Sequence, residues 1–542
     1  ADVDIHRLVA SCYGLDYDAL ARAPQTRGAD NRYHHETLDE IRDASRALIE
    51  SEVFRTGSKA VRGAVVGILR ARPIAGETLR RDPFELTELG AYLERARRLW
   101  HELGRVGTAE REALVRALDG RYVEPSPGGE VPGDWNVLPT GRNMASTDVR
   151  MLPRASAQRK AEATVRQLLD AALAKRGALP EAVGVVLWGS EMLESEGVGI
   201  AQALALLGAR VAKDHYGRAE RVELIPLAEL GRPRIDILAN TSTVFKNTFP
   251  NAIRLIHDAA RLAADADEPP ERNFVRKHVD ALIARGVEPR LAAARCFGMA
   301  EDAFMGQVGA MLDRGQFDDF NDIGAAWISD NAYAMIPTAH HVRVEPAPEV
   351  QRYLVELVEV IQQPLVAMGA GGPVKEDMFA SFTSAFGAAK RSIGDTDTMI
   401  VVTDLTRREP RVRDFRTVVV NGVLTRFHSQ SWRDRMMEHG YSGVIEFGDI
   451  FKAMRSTEAA LGDTISPELW KRTVEVTLGE WDRIAAANEH KTRELGEVLL
   501  DTRRRGMWED AQLEQALKER LNELDADVEL ATWKRRLAAN AQ

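Results

Sequence analysis

Hydrophobic and polar positions recur along this chain with two different periods, and the places where the period changes mark its organisation. Over residues 1–118 the apolar positions fall at helical spacing, as in ETLDEIRDASRALIESEVF, where Leu38, Ile41, Leu48 and Ile49 form much of one face. The pattern predicts a helical domain there. It lapses over 119–156, where EPSPGGEVPGDW holds three prolines and three glycines and predicts an irregular coil crossing a surface.

Periodicity returns in AEATVRQLLDAALAKRG, which sets Val165, Leu168, Leu169, Ala172 and Leu173 at helical spacing before Gly177 and Pro180 end the helix. AVGVVLWGS is a continuous apolar run of the kind that forms a buried parallel strand. IAQALALLG follows as a helix with Ile200, Leu204 and Leu207 on one side, and RVELIPL and RIDILANTSTVF read as two more strands. This strand–helix–strand order predicts an α/β domain with a helical insert over 157–335. TMIVVTDLTRREP predicts strands of a second α/β domain over 336–445, and 446–542 reads as helical. The expected fold class is therefore multidomain α/β, with open, mostly parallel sheets interleaved with helical segments.

In such sheets ligands sit outside the carboxyl ends of the strands. Those ends are expected at Trp188, Gly189, Ser190 and Glu191, and at Asn240, Thr241, Ser242 and Thr243. A second polar stretch, VLPTGRNMASTD, leaves the Pro/Gly-rich coil with Thr140, Arg142, Asn143 and Ser146 as hydrogen-bonding groups and Gly141 permitting a close backbone approach. It reads as a turn that starts a helix or as a loop facing a carboxylate, which a guanidinium holds in bidentate fashion.

Composition narrows the function classes. The net charge of −10, from 82 acidic and 72 basic side chains mixed along the chain, argues against nucleic acid or an anionic membrane as the main partner. Cys12 and Cys296 are the two cysteines, without a CxxC pair, which points to a reducing compartment. With no apolar run of membrane-spanning length and no basic-then-apolar start, the expected location is cytoplasmic. There is no GxxxxGK[ST], and in GVGIAQ the third glycine of a dinucleotide fingerprint is replaced by Gln202. The adjacent pairs His34–His35 and His340–His341 lack HExxH spacing and read as solvated or core histidines. Asp236, in GRPRIDI, is expected to pair with Arg232 or Arg234 and brace the sheet.

Taken in order, ALDGRYVEPSPGG, LPTGRN, VVLWGS, IAQALALLGAR, ELIPLAELGRPRIDI and DEPPERNFVRKH resemble the large subunits of magnesium chelatase and cobaltochelatase, with ERNFVRKH favouring the magnesium enzyme. TRREPRVR and SWRDRMMEHGYSG look like later landmarks, so the resemblance runs from about 115 to 510. It implies the tetrapyrrole-binding part of a multi-subunit, ligase-type metal chelatase of tetrapyrrole and chlorophyll biosynthesis. A protein of that kind binds protoporphyrin IX, or a corrin precursor in the cobalt relative, while Mg2+ enters as substrate and separate AAA+ ATPase subunits hydrolyse ATP. Insertion needs an apolar slot, cationic or amide groups for the propionates, and bases for the pyrrole protons. Magnesium sheds water reluctantly, which makes external work reasonable.

On that resemblance Glu191 and His439 are the candidate bases, and Arg142, Asn143, Trp188, Asn240, Ser242, Lys246, Arg407 and Arg413 the candidate tetrapyrrole-binding residues. No metal ligand is assigned. Trp188 also reads as core, and His439 as a helix cap. The chain departs from the family in several places. It contains no HGxxE segment, it has Ser242–Asn247 where the family reads S-G-x-F-R-D, and it has AFMGQVG in place of a Y-G-S-N-type loop. Full-length members are also more than twice as long. Three readings follow: the carboxyl-terminal half of a large subunit completed by a second chain, a divergent tetrapyrrole-binding protein without insertion activity, or an assembly scaffold for AAA+ rings. The isolated chain is expected neither to hydrolyse ATP nor to insert metal.

Overall fold

In the computed structural model, the helix His34–Glu50 buries Leu38, Ile41, Ala44 and Leu48 along one stripe, while Ile49 packs at its margin. The structure describes residues 4–28, 31–51, 61–82, 87–126, 137–142, 148–303, 306–338, 341–365, 379–405 and 410–524. The chain forms two units, Ala1–Met151 with Leu193–Glu196 and Leu405–Glu409, and Leu152–Met192 with Gly197–Asp404 and Pro410–Gln542.

The first unit is helical. Ile5–Cys12 starts at Asp4, whose carboxylate accepts from the His6 N–H, and Tyr17–Arg22 starts at Asp16, which accepts from Asp18 and Ala19. These caps satisfy backbone donors that the first turn of a helix leaves open. Both helices join His34–Glu50 and Val61–Arg70 around Val9, Tyr13, Ile41, Leu48 and Leu69. The Tyr13 hydroxyl donates to the Leu69 carbonyl at 2.7 Å. A longer helix, Thr87–Leu118, adds Leu93 to this core. Beyond it the same stripe stays in solvent, with Trp100, Leu103, Leu114 and Leu118 all exposed.

In the second unit, the helix Ala155–Arg176 ends at Gly177, whose φ of 76° is the left-handed conformation a side chain resists. The strands are β1 Ala182–Leu187, β2 Ala209–Lys213, β3 Ala219–Leu224, β4 Asp236–Thr241, β5 Cys296–Gly298, β6 Tyr333–Pro337, β7 Val342–Pro346, β8 Val358–Leu365, β9 Met399–Asp404 and β10 Arg411–Asp414. Eight of them form one sheet in the order β10-β9-β8-β1-β4-β5-β6-β7. The β9-β8-β1-β4-β5 run is parallel, and β10, β6 and β7 pair antiparallel at the two sides. Every residue of β1 is buried, as a central parallel strand requires.

Two sequence expectations change here. RVELIPL contributes β3, but β3 pairs among the described residues with β2, in a hairpin apart from the main sheet. Its exposed Glu220 and Arg221 suit a half-solvated ribbon rather than a strand covered on both faces. Strands from 157–335 and from 336–445 meet in the same eight-stranded sheet, because β8 returns to pair with β1. Beyond the sheet, the helices Tyr441–Leu461, Pro467–Gly479, Trp481–Ala487 and Glu489–Arg504 enclose a second core containing Phe427, Phe447, Phe451, Trp470, Trp481 and Trp508.

Candidate functional site at the carboxyl ends of the central strands

From β1 the chain moves to β4 and β5 on one side, then returns to lay β8 and β9 on the other. Side chains of opposite parity on β1 point to opposite faces of the sheet. A Cβ on Gly184 would meet the Phe386 ring at 2.6 Å, whereas Leu187 lies 2.9 Å from where a Cβ on Gly199 would stand. The helix Val198–Leu207, between β1 and β2, therefore covers one face, and the helix Ala385–Ser392, between β8 and β9, covers the other. The carboxyl ends of β1 and β8 thus form a topological switch point, where open sheets leave a crevice.

Trp188 stands at the end of β1 there, its ring 4.5 Å from that of Phe382. Its indole Nε1 is buried and has no hydrogen-bond partner among the described residues. Beneath this pair, on the same face, Trp327 stacks on Phe386 at 4.2 Å and an interplanar angle of 15°. Across the sheet a closed polar network holds β8, β9 and the Val198–Leu207 helix together. Gln202 Nε2 donates to Thr164 Oγ1 at 2.8 Å and Thr403 Oγ1 at 3.1 Å, Gln362 Nε2 donates to Gln202 Oε1 at 2.8 Å, and Thr403 Oγ1 donates to Gln362 Oε1 at 3.0 Å. Gln202 is the residue that breaks the dinucleotide fingerprint, and it pins a helix to two strands. Buried amides are tolerated in this way because each is satisfied.

The segments after β1 and β4 touch: a Cβ on Gly189 would lie 2.4 Å from Val244. That contact brings Trp188 and the buried Glu191 to the same edge as Ser242 and Lys246. Ser242 Oγ accepts from the Phe245 N–H at 3.1 Å and caps the helix Thr243–Thr248. Lys246, also buried, pairs with Glu301 at 3.0 Å. Asn240, in register with Val186 of β1, is taken up within the core, where it donates to Asn331 Oδ1 at 2.7 Å. Arg413 on β10 pairs with Asp404, the last residue of β9, at 3.2 Å.

His439 is exposed and forms the carboxyl cap of Gln430–Glu438 by its backbone, as its cap reading anticipates. Arg142 belongs to the first unit, is exposed, and stands 4.0 Å from Glu124. The Gly141 beside it has φ 104°, and a Cβ there would meet the Glu110 backbone at 2.6 Å. The close approach this glycine permits is therefore to the helix Thr87–Leu118. Thr140 Oγ1 donates to Glu110 at 2.5 Å on the same helix. Asn143 and Arg407 lie outside the described residues.

Sequence reasoning misplaced the partners of Asp236. Its carboxylate takes Arg295 Nε at 2.5 Å and Nη2 at 3.0 Å, and His278 Nδ1 lies at 2.8 Å. The other ring nitrogen of His278 is 3.0 Å from Glu181, which also pairs with Lys277 at 2.6 Å. Burial alone would push the Asp236 carboxyl up, but the Arg295 guanidinium and the His278 ring outweigh it and hold the group below the usual carboxylate range. Arg234 turns to Glu268 instead, at 2.7 Å through both Nε and Nη2, and donates to the carbonyls of Gly208 and Ile225. Arg232 binds the carbonyls of Leu206 and Pro233. GRPRID and DEPPERNFVRKH thus interlock as one buried brace at the amino end of β4, opposite the candidate site. Their co-occurrence was the available signal, since Arg295 carries none of its own. Phe382 was likewise missed, being distant in sequence from Trp188.

Among the described residues no group of three or more His, Cys, Asp or Glu side chains is placed to hold a metal ion, and no helix is long and apolar enough to cross a membrane.

The family described as CobN/Magnesium Chelatase matches residues 1–515. The H subunit of the magnesium chelatase of Cereibacter sphaeroides is 32% identical over 431 residues, 77% of this chain and 35% of that protein. The aerobic cobaltochelatase subunit CobN of Sinorhizobium sp is 29% identical over 430 residues, 76% of this chain and 33% of that protein. The chain spans about a third of the length of these curated relatives. In structure it is similar to the catalytic subunit of cobaltochelatase from Mycobacterium tuberculosis, with a TM-score of 0.74 at 23% identity over 96% of this chain and 44% of that one. The chain belongs to the CobN/magnesium chelatase family.

Proposed function

We propose that this chain is the tetrapyrrole-holding carboxyl-terminal part of a chelatase large subunit, acting with AAA+ partner subunits in the insertion of Mg2+ into protoporphyrin IX. The observation that carries this is the aromatic pair of Trp188 and Phe382 at the topological switch point, with a buried indole N–H that has no hydrogen-bond partner among the described residues. Flat aromatic walls suit a macrocycle, and cations at the rim suit its propionates. Lys246 and Arg413 are the rim cations. Each is engaged by a carboxylate, Glu301 and Asp404 respectively, that a propionate would displace or share. Glu191 is the residue to accept pyrrole protons as the substrate metal enters. Arg142, on the first unit, stays a candidate for a tetrapyrrole carboxylate. ATP chemistry falls to the partners.

The similarity to an aerobic cobaltochelatase subunit supports a second reading, in which a corrin precursor and cobalt replace the porphyrin and magnesium. Titration of the full chain with protoporphyrin IX and with a corrin precursor, followed by absorbance, separates the two. Trp188→Leu is expected to weaken the preferred ligand by about tenfold, the scale of one lost aromatic contact, with little change in melting temperature. No saturable binding of either ligand would overturn the proposal.

A further inference from the structure

Two neighbouring glutamines on β8 face opposite sides of the sheet, and their amides are satisfied to different degrees. Gln362 uses both ends, donating to Gln202 and accepting from Thr403 within the closed network. Gln363 is 6% exposed, yet it uses one end alone: Thr383 Oγ1 donates to its Oε1, and its Nε2 forms no hydrogen bond among the described residues. A buried amide with an unspent donor is uncommon in a folded core, because nothing there offsets its lost hydration.

Thr383 ties Gln363 to the site. It belongs to the π-helical turn Phe379–Ser384, a rare winding that recurs at functional sites, and the residue before it is Phe382, whose ring lies 4.5 Å from that of Trp188. The strand register agrees. Gly184 on β1 stands opposite Ile361 on β8, and Gly184 meets Phe386 on the face that Trp188 shares. Gln363, two residues after Ile361, projects to that same face. Strand spacing and rise put its backbone on the order of 8 Å from that of Trp188, a gap that an indole and a glutamine side chain can close onto a shared atom. The indole Nε1 of Trp188 is the other donor without a partner there. Two uncharged N–H donors on one face suit an acceptor brought by a ligand, and a carboxylate is the strongest acceptor for them.

We propose that Gln363 binds the substrate directly, its amide N–H joining the Trp188 indole N–H on one carboxylate of the tetrapyrrole. It rests on the tetrapyrrole reading above and adds an uncharged clamp that prefers a free carboxylate to an ester at that edge, with Lys246 or Arg413 left for a second carboxylate.

The test is a titration of the full chain with protoporphyrin IX and with its dimethyl ester, followed by absorbance, for the wild type, Gln363→Glu and Gln363→Met. Gln363→Glu keeps an acceptor for Thr383 and replaces only the unspent donor, with a carboxylate that repels a propionate. Gln363→Met carries the same test without a charge. The expected result is that the wild type binds the free acid more tightly than the ester, and that each variant weakens the acid by about tenfold or more while holding the ester within about twofold of the wild type. A loss that falls equally on acid and ester would assign Gln363 to bracing the π-helical turn through Thr383 and overturn the inference. Unchanged affinity in both variants, with Trp188→Leu still weakening binding, would overturn it and leave the proposed function standing. Absence of any saturable binding by the wild type would remove both.

Discussion

Asp236→Asn is expected to destabilise the second unit by about 3–5 kcal/mol, the cost of leaving a buried charge without its partner. Arg295 is wholly buried and its guanidinium is oriented by this carboxylate through two nitrogens, so the variant strands a cation beside His278. Urea unfolding at neutral pH measures the loss. The pH dependence gives a second handle. Because the folded carboxyl sits below its unfolded value of about 3.9, its stabilisation is complete above that pH and is lost as pH falls through the folded value. The gap between wild type and variant should therefore narrow below about pH 4. A gap that stays wide in acid would mean that the brace acts through packing rather than charge.

Phe386→Ala carries a comparable penalty, about 3–5 kcal/mol, for a different reason. The ring is fully buried between the Gly184 backbone of β1 and the Trp327 ring, so nothing nearby can close the cavity cheaply. Gly184 and Trp188 have the same parity on β1, which places the cavity under the Trp188–Phe382 pair. The variant should consequently lose tetrapyrrole affinity as well as stability. Gly184→Ala, which presses a methyl toward the same ring, should destabilise from the opposite direction. Thermal unfolding and porphyrin titration of the two variants check both effects.

Much of this architecture was legible in the chain because its determinants are local. The buried run AVGVVL becomes β1, Gly177 caps the helix before it, and the polar residues after β1 and β4 do meet along one edge. What could not be read locally was which partner each group takes. Asp236 has two arginines within four residues of it in sequence and pairs with neither, because Arg232 and Arg234 precede the strand and turn to backbone carbonyls and Glu268, while Arg295 arrives from the residue before β5. Neither could a short apolar run reveal that β3 belongs to a side hairpin, or that β8 returns to the first sheet; both depend on contacts distant in sequence. Gly141 illustrates the same limit. Its left-handed backbone was foreseeable from a turn-rich stretch, but that it seats the loop on Glu110 was not.

The most direct measurement of the central claim is a structure of this chain at saturating protoporphyrin IX. The account places a macrocycle at the carboxyl ends of β1 and β8, against Trp188 and Phe382, with a propionate drawing Lys246 from Glu301 or Arg413 from Asp404. A saturated complex in which that crevice carries no macrocycle, with both ion pairs and the Trp188–Phe382 contact unchanged, would contradict it.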